Sequence, residues 1–429
     1  MISKKQVKDN LKKVPLLVPT YKKIKRAPKF AKRQVLRILS VKNIPHLRSY
    51  QNYVLNHQLD KSEFVPITDS AYSGNNKKKV IAYYLPQYYQ IPQNDAWFGK
   101  GFTEWSNCAK AVPQFESHWQ PHLPIDVGFY NLETTHIMHR QIELAKMYGI
   151  HGFCFYYYWF SGGEKIMEKP IQNWLNDKSI DFPFMFFWAN EDWTNTWGAS
   201  ADIGTKTYSA KMKPTDVKKF VNDISPFLKD KRYITVDDRP HIIIYQSKKD
   251  PYLPEFLQKI TKELSKEGIN KPYVSLVFPD DFDSSFDPRD FGADAAVEFG
   301  SHLKVMPEEI PQSATVSKLM NPLAKVTEYD MKKYINENTF LFNANYPVFK
   351  GAMTHFDNTA RKIYTGAQIF STSPELYEEW LTKSINNSKT DQIFVTAWNE
   401  WAEGMHLEPD QKYGYAYLQA TKNALEAKK

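Results

Sequence analysis

The chain of 429 residues has only two cysteines and no long apolar run. Cys108 and Cys154 lack the spacing of a metal site, which argues against a disulfide framework and favours a reducing compartment. The longest apolar run, residues 153–160, is too short to cross a bilayer. The first ten residues lack the apolar segment of a secretory signal. From these absences we expect a cytoplasmic protein.

Positive charge is concentrated at the N-terminus. Residues 1–50 contain 15 Lys and Arg against one acid, Asp9, a net charge of +14 in a chain whose total is +8, so the remainder carries −6. We therefore expect a basic extension over residues 1–75 and a catalytic domain over 76–429. Such an arm can bind an anionic membrane surface, here the inner face of the cytoplasmic membrane. The acidic body argues against nucleic acid, and a solvated tail without a partner is the alternative.

Eight continuous apolar runs indicate buried parallel strands, at residues 80–85, 152–157, 184–189, 241–245, 273–278, 295–299, 340–349 and 393–397. Helical patterns lie between most of them, at 134–148, 215–228, 253–266 and 374–385, and a last one spans 413–427. This α/β alternation predicts a (β/α)₈ TIM barrel with a long first βα loop. An open, doubly wound sheet is the alternative, but no G-x-G-x-x-G follows the first run.

Tryptophans and carboxylates follow several of these runs, where the active sites of such barrels lie. A sugar site needs flat apolar faces for the rings and carboxylates for the hydroxyls and the glycosidic oxygen. One such cluster would equally suit packing, but its repetition favours a carbohydrate cleft. The residues that carry this prediction are Glu104, Trp105, Tyr157, Trp188, Asn190, Glu191, Trp193, Asn399, Glu400, Trp401 and Glu403.

Long motifs recur in order along the chain. They are Y-L-P-Q-Y at 84–88, G-F-T-E-W at 101–105, Q-P-H-L-P at 120–124, Y-G-I-H-G-F-C-F-Y-Y-Y-W-F at 148–160, F-W-A-N-E-D-W at 187–193, F-D-N-T-A-R at 356–361 and A-W-N-E-W-A-E-G-x-x-L-E-P-D at 397–410. Over about residues 80–425 they resemble the WbsX-like family of bacterial surface-polysaccharide loci. The domain of that family is similar to the family 99 glycoside hydrolases, the endo-α-mannosidases.

The resemblance implies a TIM barrel and retaining glycosidic chemistry on a mannoside-like oligosaccharide or polysaccharide, free or lipid-linked, in O-antigen or capsule biosynthesis. In those hydrolases the substrate's own 2-hydroxyl is thought to form a 1,2-anhydro sugar. By the shared motif, Glu400 would take the 2-hydroxyl proton and Glu403 would protonate the departing oxygen. Tyr84, Tyr157 and Glu191 would contact the sugar directly. The hydrolases commonly carry His where this chain has Ala402, so details of the substrate site are expected to differ.

Other readings stay open at this point. A glycosyltransferase, a transglycosylase and an endo-glycosidase all fit the motifs. Asp281-Phe282-Asp283 matches the D-x-D of metal-dependent nucleotide-sugar transferases, although a chance match is expected among 48 acids. A glycan-binding protein without catalysis is a further alternative. We expect neither a cofactor nor a bound metal. The histidines at 118, 122, 302, 355 and 406 lack a metal-ligand spacing, and we expect them to be hydrogen-bonding loop residues.

Overall fold

The structure is a computed structural model that describes residues 61–115, 118–194, 208–246, 251–300, 302–310, 324–342, 344–362 and 366–427. The basic segment 1–50, for which we predict a membrane contact, lies outside these ranges. None of the helices within the described ranges combines the length and apolar character that a membrane span requires.

Eight parallel strands form the core. They are β1 (Lys79–Tyr84), β2 (Ile150–Phe160), β3 (Phe184–Trp188), β4 (Arg239–Ile244), β5 (Tyr273–Val277), β6 (Ala295–Val297), β7 (Val348–Phe349 and Gly351–Met353) and β8 (Gln392–Thr396). Each pairs with the next, and β8 pairs with β1. The predicted (β/α)₈ barrel is confirmed.

Strand β7 closes the barrel in two steps. Its first segment, Val348–Phe349, pairs with β6, and its second segment, Gly351–Met353, pairs with β8. Lys350 lies between the two segments and its carbonyl accepts a hydrogen bond from Phe394 N at 2.9 Å. The predicted seventh run, 340–349, was placed too early, because the apolar residues before Val348 belong to the loop that leads into the strand.

Within the part of the chain that the structure describes, seven helices surround the barrel. They are α1 (His136–Met147), α2 (Lys169–Asn176), α3 (Asp216–Leu228), α4 (Leu253–Lys266), α5 (Met331–Asn336), α6 (Pro374–Asn387) and α7 (Ala416–Glu426), with a 3₁₀ turn, Pro288–Phe291, between β5 and β6. Shorter helices are Pro92–Phe98, Trp105–Ala109 and Thr359–Lys362. Small sheets pair Glu164–Ile166 with β2, Thr235–Val236 with β4, and Ala367–Phe370 with both Val326–Tyr329 and Phe356–Asp357.

Aromatic rings fill the barrel interior near its mouth. The ring of Tyr83 lies 5.2 Å from Phe187, 4.9 Å from Phe299 and 5.6 Å from Phe394, between centroids. Because successive side chains of a strand point to opposite faces, the neighbours of these interior residues point outward and pack under the helices. This alternation decides which aromatic residues can reach a ligand.

The last part of the predicted extension lies on the barrel. Val65 N bonds the carbonyl of Tyr413 at 3.1 Å, and Tyr72 N bonds the carbonyl of Met147 at 2.8 Å. The Asn76 amide donates to the carbonyl of Leu425 at 2.9 Å. The domain limits 1–75 and 76–429 stay a prediction, but the residues just before position 76 already contact the barrel.

Candidate functional site

The loop after β8 places two carboxylates at the barrel mouth. Residues Asn399–Glu400 pair antiparallel with Met405–His406 and enclose a 3₁₀ turn, Trp401–Glu403. The turn ends at Gly404 with φ 65°, and a Cβ there would lie 3.0 Å from a ring atom of His355. Glycine meets both the backbone and the space requirement. The tight turn holds Glu400 and Glu403 close together.

Arg361 connects three carboxylates. Its Nη1 donates to Glu403 Oε1 at 2.7 Å, its Nε donates to Glu104 Oε1 at 3.0 Å, and its Nη2 also bonds that Glu104 oxygen and lies 4.0 Å from Glu400 Oε2. Burial lowers the pKa of Arg361, but the three carboxylates outweigh burial and hold that pKa well above its usual value. The guanidinium is therefore a fixed positive charge.

Glu400 is the unusual member of this cluster. It is 6% exposed, and its Oε2 has no hydrogen-bond partner among the described residues. Burial, and then the charge of Glu403, raise the pKa of Glu400 well above its ordinary value, against the opposing effects of Arg361 and of the nearby Tyr156 hydroxyl. Glu403 instead has a direct bond to the guanidinium. The arrangement favours a proton on Glu400.

Two tyrosines of β2 complete this side of the mouth. The Tyr156 hydroxyl is buried and, within the described part of the chain, meets no partner at standard hydrogen-bond geometry. It lies close enough to Glu400 to lower the pKa of that carboxyl. Burial, and then the charge of Glu400, raise the pKa of Tyr156. Tyr158 is partly exposed. Burial, and then the charge of Glu400, raise the pKa of Tyr158, whereas Arg361 lowers it. Both hydroxyls thus share the site with the carboxylates.

The structure does not bring three predicted contact residues to this site. Tyr84 donates its hydroxyl to Gln141 Oε1 on α1 at 2.7 Å. Tyr157 stacks on Phe186 at 4.5 Å and faces Phe227 of α3. Trp188 donates to the Trp159 carbonyl at 3.1 Å and its ring lies 4.8 Å from Phe220 of α3. All three point outward between sheet and helices, away from the carboxylate cluster, and their direct contact with sugar stays a prediction.

Three further predicted residues brace the loops. The Asn399 amide bonds both the N–H and the carbonyl of Leu85, at 2.7 and 3.0 Å. The Asn190 amide does the same with Gln246, at 2.7 Å for both bonds. Trp401 is 1% exposed and donates to Glu408 Oε2 at 2.7 Å. Because these polar groups are already paired, the residues fix the loops and do not offer groups to a ligand.

The other predicted residues lie on or beside the mouth. Glu104 is buried under Arg361 and also accepts from the Asn107 amide at 3.2 Å. Trp105 is partly exposed, with its indole N–H bonded to the Tyr130 carbonyl at 2.8 Å. Glu191 and Trp193 are also partly exposed, and the Trp193 ring lies 5.1 Å from Tyr158. Their sugar-binding roles stay predictions.

A histidine cluster lies beneath the loop. His118 bonds Asp357 Oδ2 at 2.7 Å, and His122 Nδ1 bonds His406 Nε2 at 3.1 Å. The expectation that these are hydrogen-bonding residues is confirmed. His122 and Asp357 form one group with His355 whose ligand atoms lie within 4.8 Å, and a second group joins His122, His406 and Asp410. Asp357, His406 and His122 Nδ1 are held in hydrogen bonds, whereas His122 Nε2 has no partner among the described residues. We interpret the cluster as support for the loop.

Our sequence reasoning missed Arg361, Tyr156 and Tyr158 as site residues. Each lies within a quoted motif, F-D-N-T-A-R or the Y-Y-Y-W-F segment, so a signal was present. What the motif cannot show is which of three consecutive tyrosines faces the barrel interior, or that the arginine within a short helix reaches acids from two other loops.

Comparisons with known proteins agree with this architecture. The chain is 37% identical over 358 residues to the uncharacterized protein WxcX of two Xanthomonas campestris pv. campestris strains, B100 and ATCC 33913, covering 81% of this chain and 49% of the relatives. It thus spans about half the length of these curated relatives. A glycoside hydrolase-like protein matches in fold with TM-score 0.51 and 13% identity, over 86% of this chain and 99% of that one.

A family 99 endo-α-mannosidase from Bacteroides thetaiotaomicron, in complex with bis-tris-propane, matches with TM-score 0.50 and 14% identity, over 81% of this chain and 96% of that chain. At this identity the likeness concerns the fold alone. The family model described as glycosyltransferase WbsX matches residues 80–421, which include both the barrel and the carboxylate cluster. The chain belongs to the WbsX glycosyltransferase family.

Proposed function

We propose that this chain is a carbohydrate-active enzyme that makes or breaks a glycosidic bond at Glu400 and Glu403 during bacterial surface-polysaccharide assembly. The observation that carries the proposal is the buried Glu400 Oε2, which has no partner at standard hydrogen-bond geometry among the described residues and lies beside the Arg361–Glu403 ion pair and the Tyr156 hydroxyl. An unpaired buried acceptor costs about 1–3 kcal/mol. A substrate hydroxyl is a suitable donor for it.

The two carboxylates need different protonation states for acid–base work. In the roles that the family resemblance implies, Glu400 is the base and Glu403 the acid, so the proton must lie on Glu403 when substrate is bound. Without substrate, burial and the charge of Glu403 instead favour a proton on Glu400. A sugar hydroxyl that donates to Glu400 Oε2 stabilises its ionised form and lowers its pKa. We infer that substrate binding releases the Glu400 proton and leaves this carboxylate ionised to act as the base.

Hydrolysis and transfer differ in the second step alone. When the anhydro sugar opens, the nucleophile is water in a hydrolase and an acceptor hydroxyl in a transferase. In both reactions Glu403, which has given up its proton in the first step, takes the proton of the nucleophile. The family description supports transfer, with a mannoside-like, free or lipid-linked glycan as the proposed substrate. Product analysis with and without added acceptor sugar separates the two reactions.

The test uses aryl glycosides that differ in leaving group, after a screen for a sugar that the protein turns over. Glu403→Gln should lose activity on poor leaving groups and retain it on good ones, whereas Glu400→Gln should lose activity on all. General acid–base catalysis typically contributes about 10²–10⁴ in rate. Glu133→Gln is a matched control, because this half-exposed carboxylate pairs with Lys169 and not with Arg361.

Wild-type turnover by both variants would refute the assignment. A reversed pattern, with Glu400→Gln active on good leaving groups, would exchange the two roles and retain the function. Dependence of turnover on Mn²⁺ would favour the nucleotide-sugar transferase alternative. Glycan binding without any turnover, in the presence of donors and acceptors, would favour a binding protein.

The basic segment supports a second, independent proposal. With +14 in residues 1–50, we propose that it holds the enzyme at an anionic membrane surface. The full chain should sediment with vesicles of anionic lipid at low salt and be released as salt rises, because screening shortens the reach of charge from about 10 Å at 0.1 M to about 3 Å at 1 M. A chain that begins at Lys61 retains the barrel contacts of Val65 and Tyr72 and should stay in solution. Equal sedimentation of both chains would place any lipid contact on the barrel.

A further inference from the structure

Three side chains form a hydrogen-bonded chain on the other side of the barrel mouth. Tyr245 follows β4, Asp280 follows β5 and His302 follows β6. The Tyr245 hydroxyl lies 2.7 Å from His302 Nε2, and His302 Nδ1 lies 2.6 Å from Asp280 Oδ1. The His302 side chain is 13% exposed and that of Asp280 is 71% exposed. None of these residues takes part in the acid–base pair.

The bonding pattern fixes the direction of each hydrogen bond when His302 is neutral. The Asp280 carboxylate only accepts, so His302 Nδ1 carries the proton and its Nε2 has the lone pair. That lone pair accepts the hydroxyl proton of Tyr245. The Tyr245 oxygen is then left with acceptor capacity and no proton to give, so a further partner must be a hydrogen-bond donor.

Tyr245 faces the same cavity as the carboxylate cluster. One ring, Phe187, separates it from Tyr156, with centroid distances of 5.6 Å to Tyr245 and 5.1 Å to Tyr156. Burial, and then the charges of Glu191, Asp280 and Glu403, raise the pKa of Tyr245, whereas hydrogen bonding from the Gln246 side chain lowers it. The Tyr245 oxygen has two lone pairs, so one remains for a ligand when Gln246 uses the other. Its ring is partly exposed. Tyr245 and Tyr156, which lies near Glu400, therefore flank the Phe187 ring on opposite sides.

We propose that Tyr245, His302 and Asp280 form a second sugar subsite, which accepts a hydrogen bond from a hydroxyl of a neutral sugar residue. This inference rests on the proposed function, because it assumes that a glycan occupies the cleft. The charges of Glu191 and Asp280 make the subsite unfavourable for a uronic acid or a phosphorylated sugar. The subsite selects for a free hydroxyl and for the absence of negative charge.

The experiment measures glycan binding in the Glu403→Gln background, where turnover is blocked. Neutral oligosaccharides of increasing length, and one series that contains uronic acid, are titrated by calorimetry. Tyr245→Phe should weaken binding of the longer neutral glycans about tenfold, equivalent to about 1.4 kcal/mol, and should leave the shortest binding glycan unchanged. His302→Gln should have a similar effect, because it releases the Tyr245 proton from its fixed bond.

Asp280→Asn separates charge from orientation. The amide oxygen can still accept from His302, so affinity for neutral glycans should stay within about twofold, while affinity for the uronic acid series should rise. Tyr346→Phe is the matched control. Its hydroxyl bonds the Phe286 carbonyl at 2.8 Å, before β7 at the opposite end of the barrel, and its loss should change no affinity.

Unchanged affinity of a correctly melting Tyr245→Phe protein for every neutral glycan would overturn the subsite and leave the proposed function intact. A gain for uronic acid glycans in Tyr245→Phe, but not in Asp280→Asn, would contradict the assigned charge selection. If the Glu403→Gln protein binds no oligosaccharide at all, the proposed function fails and the subsite fails with it.

Discussion

On the outward face of β1–β3, Tyr84 and Trp188 bond their polar atoms to Gln141 and to the Trp159 carbonyl. Tyr83 on β1 and Tyr156 on β2 point inward. Their buried hydroxyls have no partner at standard hydrogen-bond geometry within the described ranges. The residue types are alike, but the outward groups are satisfied by the fold and the inward ones are not. Unpaired buried polar groups are costly. We therefore interpret the outward residues as stabilising the fold and propose that inward hydroxyls pair with a ligand.

Trp188 and Trp193 give the largest expected contrast. Trp188→Ala removes a ring packed under α3 and should cost about 3–5 kcal/mol in the free energy of unfolding. The protein that remains folded should bind glycan with unchanged affinity. Trp193→Ala, at the partly exposed rim, should weaken glycan binding more than it lowers stability. Trp105→Ala tests the other predicted rim ring in the same way.

Melting curves beside calorimetric titrations measure both effects. A large fall in melting temperature with unchanged glycan affinity for Trp193→Ala would mean that this ring is also packing. An affinity loss in folded Trp188→Ala would contradict the outward assignment.

Tyr84→Phe and Tyr156→Phe make the same chemical change on opposite faces. Tyr84→Phe leaves the buried Gln141 oxygen without its donor and should cost about 1–3 kcal/mol of stability. Tyr156→Phe removes an unpaired hydroxyl, so stability should stay the same or rise, while turnover should fall about tenfold. Chemical denaturation and steady-state rates on one substrate check the pair. Equal stability losses would contradict the comparison.

Glu400→Gln should slightly stabilise the folded protein, whereas Trp188→Ala and Tyr84→Phe should destabilise it. The folded protein keeps the Glu400 proton to higher pH than the unfolded chain does, since burial and Glu403 raise its pKa. As pH rises past the ordinary glutamate pKa of about 4.5, the unfolded state ionises first and the wild type loses stability. Glutamine does not titrate, so the variant should gain in melting temperature relative to wild type between about pH 5 and pH 8.

The control for this pH series is Glu133→Gln, whose carboxylate is half-exposed. Its melting temperature should differ from wild type by the same small amount at each pH. A Glu400→Gln protein with no pH-dependent gain would mean that Glu400 is ionised without substrate, and the proposed proton release on binding would then be unnecessary.

Much of the fold was predictable from the sequence because burial leaves a direct mark on composition. Seven of the eight strands coincide with continuous apolar runs, and most helices with amphipathic patterns. The seventh strand was misplaced because Gly351 and Ala352 carry little apolar character, whereas the loop before it contains Phe340 and Phe342. A strand so short is defined by its pairing partners, β6 and β8, and pairing is not visible in a local pattern.

The sequence by itself determined the barrel, because it follows from apolar runs, and it pointed to the strand ends and to Glu400 and Glu403 as the candidate site, because of the residues that follow those runs. Tertiary structure alone decided which side chain of each strand faces inward. Strands buried on both faces are apolar throughout and lack the alternation that would reveal it. The same holds for Arg361, Tyr245 and His302, whose partners come from distant loops. Their roles depend on distances of about 3 Å between residues far apart in the chain, and closure of the barrel sets those distances.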